Sequence, residues 1–507
     1  MVRLTIVGLL AFAVALAGTA YAEVQSIKVS GDLDLKWILN HNHDLKQAQD
    51  NLAGGPGVGR NSANSNNDDA EFFLSTTHVR VDADLTDNVS ATVKLLNQRV
   101  WDAHSTDESI HLDNAYVVLR EFLYSPLTVI AGRQNLQYGD GFIVGSGILA
   151  DPEGIFGVPD SFAIHAGGIG GEHSAYNAYD AIRLIFDFAP LTVEGLVAKM
   201  NETGATNDDS DLYGLYVTYK LDRWDAQVEP YWFWKNNESD AVPTNDSLVT
   251  TAGADAIRTY ERNDVHTVGL RLAGSPVENL RLTGEGAFQF GHLTDTTPVS
   301  PGLAASGQQQ ERARDGWAAN VRATYDWVTV PWTPTTGIGW MFTSGEEAST
   351  EQGPARVGVS GLPTTSGADK FNAWDPVFRG LTHTYVSDYL SGRDAPPNLY
   401  TTVDTNDTAA TTNRHHIYGD VTFKPLQDVT AFVRYTHARF DEAPRAGRST
   451  HAGDEVDAKL SYAYTEDVNF STWGGWFIPG SYYDEPESNT RSNDMAWTTG
   501  VGGSVKF

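Results

Sequence analysis

Arg80, Lys94, Arg133, Arg183, Arg322, Arg434 and Lys459 fall, by alternation, on the polar side of segments whose other side is apolar. Each lies about four to seven residues from a short turn, which places it near mid-height in a strand long enough to cross a bilayer. Glu229 and Glu285 share that level, together with Asp457 and Asp82. An excess of guanidinium at one depth of a pore favours passage of anions, because Arg pairs with carboxylate or phosphate and stays charged at every working pH. A second reading is equally open: Arg and acid side chains of neighbouring strands pair into ladders that fill and stiffen the interior. Counted by parity, basic residues outnumber acidic ones here, so the expected lumen is more positive at its middle than at its rim.

Other chemistry is thinly represented. The chain has no Cys, which removes disulfides, thiolate zinc sites, iron–sulfur clusters and Cys nucleophiles together. His41-Asn42-His43 spells a nuclease motif without the metal-binding helix that must follow it. His415-His416 is a directly adjacent His pair and His383 stands alone; surface or rim positions are expected for them. No P-loop, dinucleotide fingerprint or HExxH zinc site occurs. No metal-ligating set and no catalytic residue is therefore predicted, and no cofactor beyond divalent cations, calcium first, bridging acidic loops to each other or to lipopolysaccharide. Asn64 to Asp69 and Asp404 to Asp407 are the candidate clusters, and solvated surface is their plainer reading. A Ser–His–acid triad at a rim is a matter of geometry that sequence cannot supply.

The elements that would position these residues are strands. Ile27, Val29, Leu33, Leu35, Trp37 and Leu39 alternate with Lys28, Ser30, Asp32, Asp34 and Lys36. The same period of two recurs at Trp317 to Trp327, at Glu455 to Tyr464 and at Trp497 to Phe507. About eighteen such segments are predicted, from 27–39, 72–85 and 89–100 at one end of the chain to 454–464, 467–478 and 495–507 at the other. Short turns such as Thr86-Asp87-Asn88 and Thr465-Glu466-Asp467 take turns with long polar connections, the rhythm of a barrel with periplasmic turns and long extracellular loops. The expected fold is thus all-β, a transmembrane antiparallel barrel occupying residues 23–507 as a single domain. Trp37, Trp101, Trp224, Trp234, Trp327, Trp476 and Trp497 are the expected interfacial aromatics.

Met1 to Arg3 give a basic start, Leu4 to Leu16 an apolar run, and Ala20-Tyr21-Ala22 a small-x-small site, so residues 1–22 are expected to be a secretory signal peptide. A run of that length falls short of the roughly 20 residues that a spanning helix needs. The net charge of -30 argues against nucleic acid as a partner, since phosphate binding needs a basic face. Most of that excess acid lies in the long connections. The stretch 139–179 is rich in Gly and has neither Lys nor Arg, and it could fold into the lumen or lie above it as a lid. The segment 345–413 is longer still, with Phe371 to Gly380 as a place for extra structure. Phe507, an aromatic at the end of an amphipathic strand, is the expected signal to the barrel assembly machinery.

Three stretches carry a family resemblance: Gly132-Arg133-Gln134-Asn135-Leu136-Gln137-Tyr138-Gly139-Asp140, Asp180 to Asp187, and Trp473-Gly474-Gly475-Trp476-Phe477-Ile478-Pro479-Gly480, with Thr343-Ser344-Gly345 as a fourth. They resemble motifs of the alginate-export family of bacterial outer-membrane barrels, and the likeness runs loosely from about residue 25 to 507. The resemblance implies eighteen strands and an Arg-lined lumen in which Arg133 and Arg183 belong to the charge-selective wall. It also implies an outer-membrane location among lipid and lipopolysaccharide, an acidic polysaccharide as cargo, and periplasmic export components as partners. A diffusion porin of other specificity stays open as the alternative, with an outer-membrane hydrolase or adhesin behind it.

Overall fold

The computed structural model describes residues 25–42, 69–101, 110–145, 178–201, 210–238, 259–297, 308–345, 370–375, 384–387, 412–443, 449–484 and 494–507. The expected leader, His43, His383, Asp404 to Asp407 and all of Asn64 to Asp69 except Asp69 lie outside them. In chain order the strands are β1 (Ser26–His41), β2 (Asp69–Thr86), β3 (Val89–Val100), β4 (His111–Leu119), β5 (Leu127–Gln134), β6 (Tyr179–Asp187), β7 (Leu191–Asn201), β8 (Ser210–Leu221) and β9 (Ala226–Glu238). They continue as β10 (Thr259–Val277), β11 (Leu280–Thr297), β12 (Gln308–Asp326), β13 (Thr335–Thr343), β14 (Lys370–Phe371), β15 (Arg414–Leu426), β16 (Val429–Arg439), β17 (His451–Ala463), β18 (Val468–Pro479) and β19 (Ala496–Lys506).

Each strand pairs antiparallel with its neighbours in sequence, β13 pairs with β15, and β1 pairs with both β2 and β19. The result is a closed antiparallel barrel of 18 strands. The two-residue β14 stands apart from the wall and pairs parallel with Ala313 and Arg314 of β12. Extra structure thus does occur in the long segment near Phe371, among the described residues as this short bridge. Closure satisfies every edge, which is the requirement that hydrocarbon imposes on a β-sheet.

The alternation dictates which face is which. Val29, Val93, Leu184, Leu270, Leu282, Ile338, Val433 and Leu460 are exposed on the outer surface. A belt of aliphatic side chains around a whole molecule is incompatible with water and suited to lipid. Trp224, Trp327, Trp332, Tyr464 and Phe507 border the belt at the short-turn end, and Trp37, Trp101, Trp317, Tyr435 and Trp476 border it at the long-loop end. Trp234 stacks on Tyr213 and Trp497 on His41 within the second girdle. Among the described residues no helix is long and apolar enough to cross a membrane.

The short turns are fixed by local side-chain oxygens. Thr86 accepts the Asn88 N–H at 3.3 Å, Asp187 that of Ala189 at 3.2 Å, and Thr465 that of Val468 at 3.0 Å. The seam closes on the last residue: Phe507 donates its N–H to Gly31 at 2.9 Å and accepts the Gly31 N–H at 2.8 Å. Gly31 is required by close approach, since a Cβ there would stand 2.6 Å from the Phe507 ring.

Candidate functional site

The inner wall begins with pairs of opposite charge, some within one strand and others between strands. On β2 and β3, Arg80 binds Asp82 at 2.8 Å, Thr92 donates to the same carboxylate at 2.7 Å, and Lys94 reaches Asp113 at 2.8 Å. Arg183 of β6 grips Glu194 of β7 with two bonds, 2.6 and 2.9 Å. Arg271 of β10 lies between Glu229 of β9 and Glu285 of β11 in register. It bonds Glu229, while Tyr231 donates to Glu285 at 2.7 Å. Arg322 of β12 and Arg434 of β16 converge on Asp420 of β15, at 3.0 and 3.2 Å. Lys459 of β17 is on the inner row, opposite Phe432 and Trp473.

The expected excess of positive charge is therefore corrected to a paired ladder. Parity had missed Glu194, Asp420 and Glu455, which share the inner row, and Asp113, which a register shift between Lys94 and Leu95 brings beside the lysine. Arg271 was missed as well, although its alternation with outward Leu270 and Leu272 is plain in the sequence.

Arg133 requires a correction of place. Its register partner on β6 is Asp180, which shares the parity of the outward Ile182 and Leu184; its partner on β4 is Ala115, opposite the outward Val93. Arg133 thus stands on the outer face near the long-loop end of β5. There it binds Asp180 at 3.5 Å and donates from Nε to the Leu112 carbonyl at 3.1 Å. Both rows of β5 are mainly apolar or small, Leu127, Val129 and Ala131 against Thr128, Ile130 and Gly132, so alternation cannot distinguish them.

Among the described residues, three loop segments turn inward and are anchored on the wall. After β5 the chain leaves the barrel at Gln134 and runs through 135–145, where Leu136, Phe142, Ile143 and Val144 are buried against Leu196, Leu212 and Phe233. Tyr138 donates to Glu194, and Asp140 accepts from Arg271 at 2.8 Å. Farther along, Trp374 enters the same apolar cluster. Asp375 beside it meets Lys235 at 3.5 Å and Arg314 at 3.3 Å, both buried. The third segment, 384–387, places Tyr385 and Val386 in a second apolar cluster with Phe432 and Phe477. Val386 and Ser387 each donate an N–H at 2.7 Å to a different oxygen of Glu455, and Tyr385 donates to Asp457 at 3.4 Å. Loop residues thereby reach the wall level of Arg434, whose register partner is Asp457. The part of the 139–179 stretch that is described follows the inward alternative, not the lid.

At the long-loop rim, His415 binds Asp441 at 3.1 Å while His416 is buried. Burial works to raise the Asp441 carboxyl, but hydrogen bonds from His415 and from the Gly345 N–H hold it below the ordinary range. His41 stacks on Trp497, and Asn42 donates to the Asp494 carbonyl at 2.9 Å, so these two residues of the nuclease-like triplet have structural partners.

A closed barrel with a lipid-facing belt, a charged inner wall and loops folded against that wall defines an outer-membrane channel. The chain belongs to the alginate export family, whose model matches residues 59–496; its place is the bacterial outer membrane. No curated protein matches it in sequence. Among solved structures, OccK2 (OpdF) of Pseudomonas aeruginosa is similar with a TM-score of 0.50 at 12% identity, over 96% of this chain and 98% of that one. OpdO of the same organism reaches 0.49 at 10% identity, over 96% and 98%. A BenF-like porin from Pseudomonas fluorescens reaches 0.48 at 12%, over 96% and 99%. At such identity the likeness to OccK2 concerns the fold.

Proposed function

We propose that this channel passes anionic solutes, of the kind an acidic polysaccharide of the alginate type provides, and that it catalyses no reaction. The observation that carries the reading is the convergence of Arg322 and Arg434 on the single carboxylate of Asp420, with the Arg322 side chain still 29% exposed. Arg80, clamped by Asp82 and 43% exposed, presents a second fixed guanidinium. A guanidinium held by one carboxylate keeps N–H donors in a known direction, ready for a passing carboxylate without first losing rotamer freedom. Family membership supports the same substrate class.

Residues 1–22 serve in this reading as the export leader and Phe507 as the assembly signal. Lipopolysaccharide, periplasmic export components and loop-bound calcium complete the expected surroundings. The pairing of the inner basic residues favours one competing account, a general porin of weak charge preference, because a solute must compete with resident carboxylates.

Oligouronates added to one side of a planar bilayer holding the purified protein test the proposal. Transient current blockades are expected, and they shorten in the Arg80→Ala plus Arg322→Ala variant. Equal blockade by a neutral oligosaccharide of the same size, or no change in the variant, would leave the general porin.

A further inference from the structure

A side-chain cluster on the outside of the barrel matches no part of the pore. His437 of β16, with His451 and Asp454 of β17, places one ligand atom each within 4.8 Å of the others. His437 Nδ1 is 2.8 Å from Asp454 Oδ1, and His451 Nε2 is 3.3 Å from Oδ2. Bonds of about 2.0 Å to a tetrahedral zinc ion put neighbouring ligand atoms about 3.3 Å apart, a spacing that these three side chains reach with small shifts from their present contacts with the two Asp454 oxygens. The two imidazole rings stack with centroids 5.1 Å apart and planes inclined by 26°.

Backbone geometry brings the three to one face. In an unbroken strand His451 and Asp454, three residues apart, would point to opposite sides. A register shift between Ala438 and Arg439 pairs Ala438 with Gly453 but Arg439 with His451, leaving Ala452 as the extra residue of a bulge. Gly453, at φ +153, makes the bulge possible: a Cβ there would stand 2.5 Å from the Ile478 carbonyl oxygen. Bulges recur where a strand must re-aim a side chain. Here the result is that His437, His451 and Asp454 share the outer parity of Tyr435 and Val456. Tyr435 donates to Asp454 Oδ1 at 2.6 Å, the orienting contact that ligating carboxylates commonly have. His451 Nε2 is shielded from solvent, with the Asp454 carboxylate facing it at 3.3 Å.

We infer that His437, His451 and Asp454 bind a zinc-class divalent ion at the long-loop rim, with its remaining positions open to solvent or headgroup oxygens. Two imidazoles and one carboxylate suit a borderline ion, whereas calcium takes oxygen ligands. The site is therefore distinct from any calcium held by acidic loops. A bound ion would tie the ends of β16 and β17 together just beyond the Tyr435 and Trp476 girdle.

Cobalt is the probe, added to untagged, folded, full-length protein in detergent. Stoichiometric Co2+ is expected to give a visible absorption band that Zn2+ abolishes and excess Ca2+ does not. The His437→Ala plus His451→Ala variant loses the band, and Tyr435→Phe weakens binding about tenfold. Because the chain has 14 His, the difference between variants is the readout. In the unaltered protein, Zn2+ slows carboxyethylation of His437 and His451, read by mass spectrometry, while His292 reacts as before. Absence of the band, its survival in the folded double variant, or equal protection of His292 would overturn the assignment.

Discussion

Glu455 accepts one backbone N–H on each carboxylate oxygen, from Val386 and Ser387, in a fully buried position. Glutamine at this place would offer one oxygen and one NH2, so one of the two backbone donors would face another donor. A buried donor left without an acceptor costs about 1–3 kcal/mol. Glu455→Gln is therefore expected to undock the 384–387 segment and raise single-channel conductance, with the barrel intact by circular dichroism. Unchanged conductance would mean that the docked segment does not narrow the path. The residue scale is also where sequence reading divides. Arg80, Arg183, Arg322 and Arg434 lie on the predicted inner face because their strands alternate strongly. Arg133 does not, because β5 is apolar or small on both faces and offers no contrast. Asp454 and His451 form a pair only after a bulge that spacing alone does not reveal.

Strands were legible as elements because the period of two extends over their whole length; β3 matches its predicted limits, and β1 and β2 extend beyond theirs into the long-loop side. The inward segments were not legible, since their anchors are remote in sequence: Asp375 meets Lys235 across 140 positions. Burial of Lys235 and Arg314 is tolerable only with a counter-charge, and Asp375 supplies one to both. Removing one partner of a buried pair typically costs about 3–5 kcal/mol. Asp375→Ala is accordingly expected to lower the temperature at which the folded band is lost on unheated-versus-heated gels, and Asp375→Glu to lower it less. Equal stability of the Ala variant would show that this element is not held by its charge.

The whole molecule separates its tasks by surface. The outer face meets lipid with aliphatic side chains between aromatic girdles, and the inner face meets water with charge pairs that hold both the wall and the loops folded onto it. The acidic connections work against an entering anion, although screening over about 8 Å at physiological salt limits their reach. Under the proposed function, selectivity rests on the exposed clamped guanidiniums of the wall, Arg80 and Arg322. The most direct measurement is the reversal potential of the native protein in a planar bilayer under a salt gradient, beside the Arg80→Ala plus Arg322→Ala variant. A potential of the sign for anion preference, moving toward zero in the variant, is predicted; cation preference in the native pore, or no conductance at all, would contradict the account.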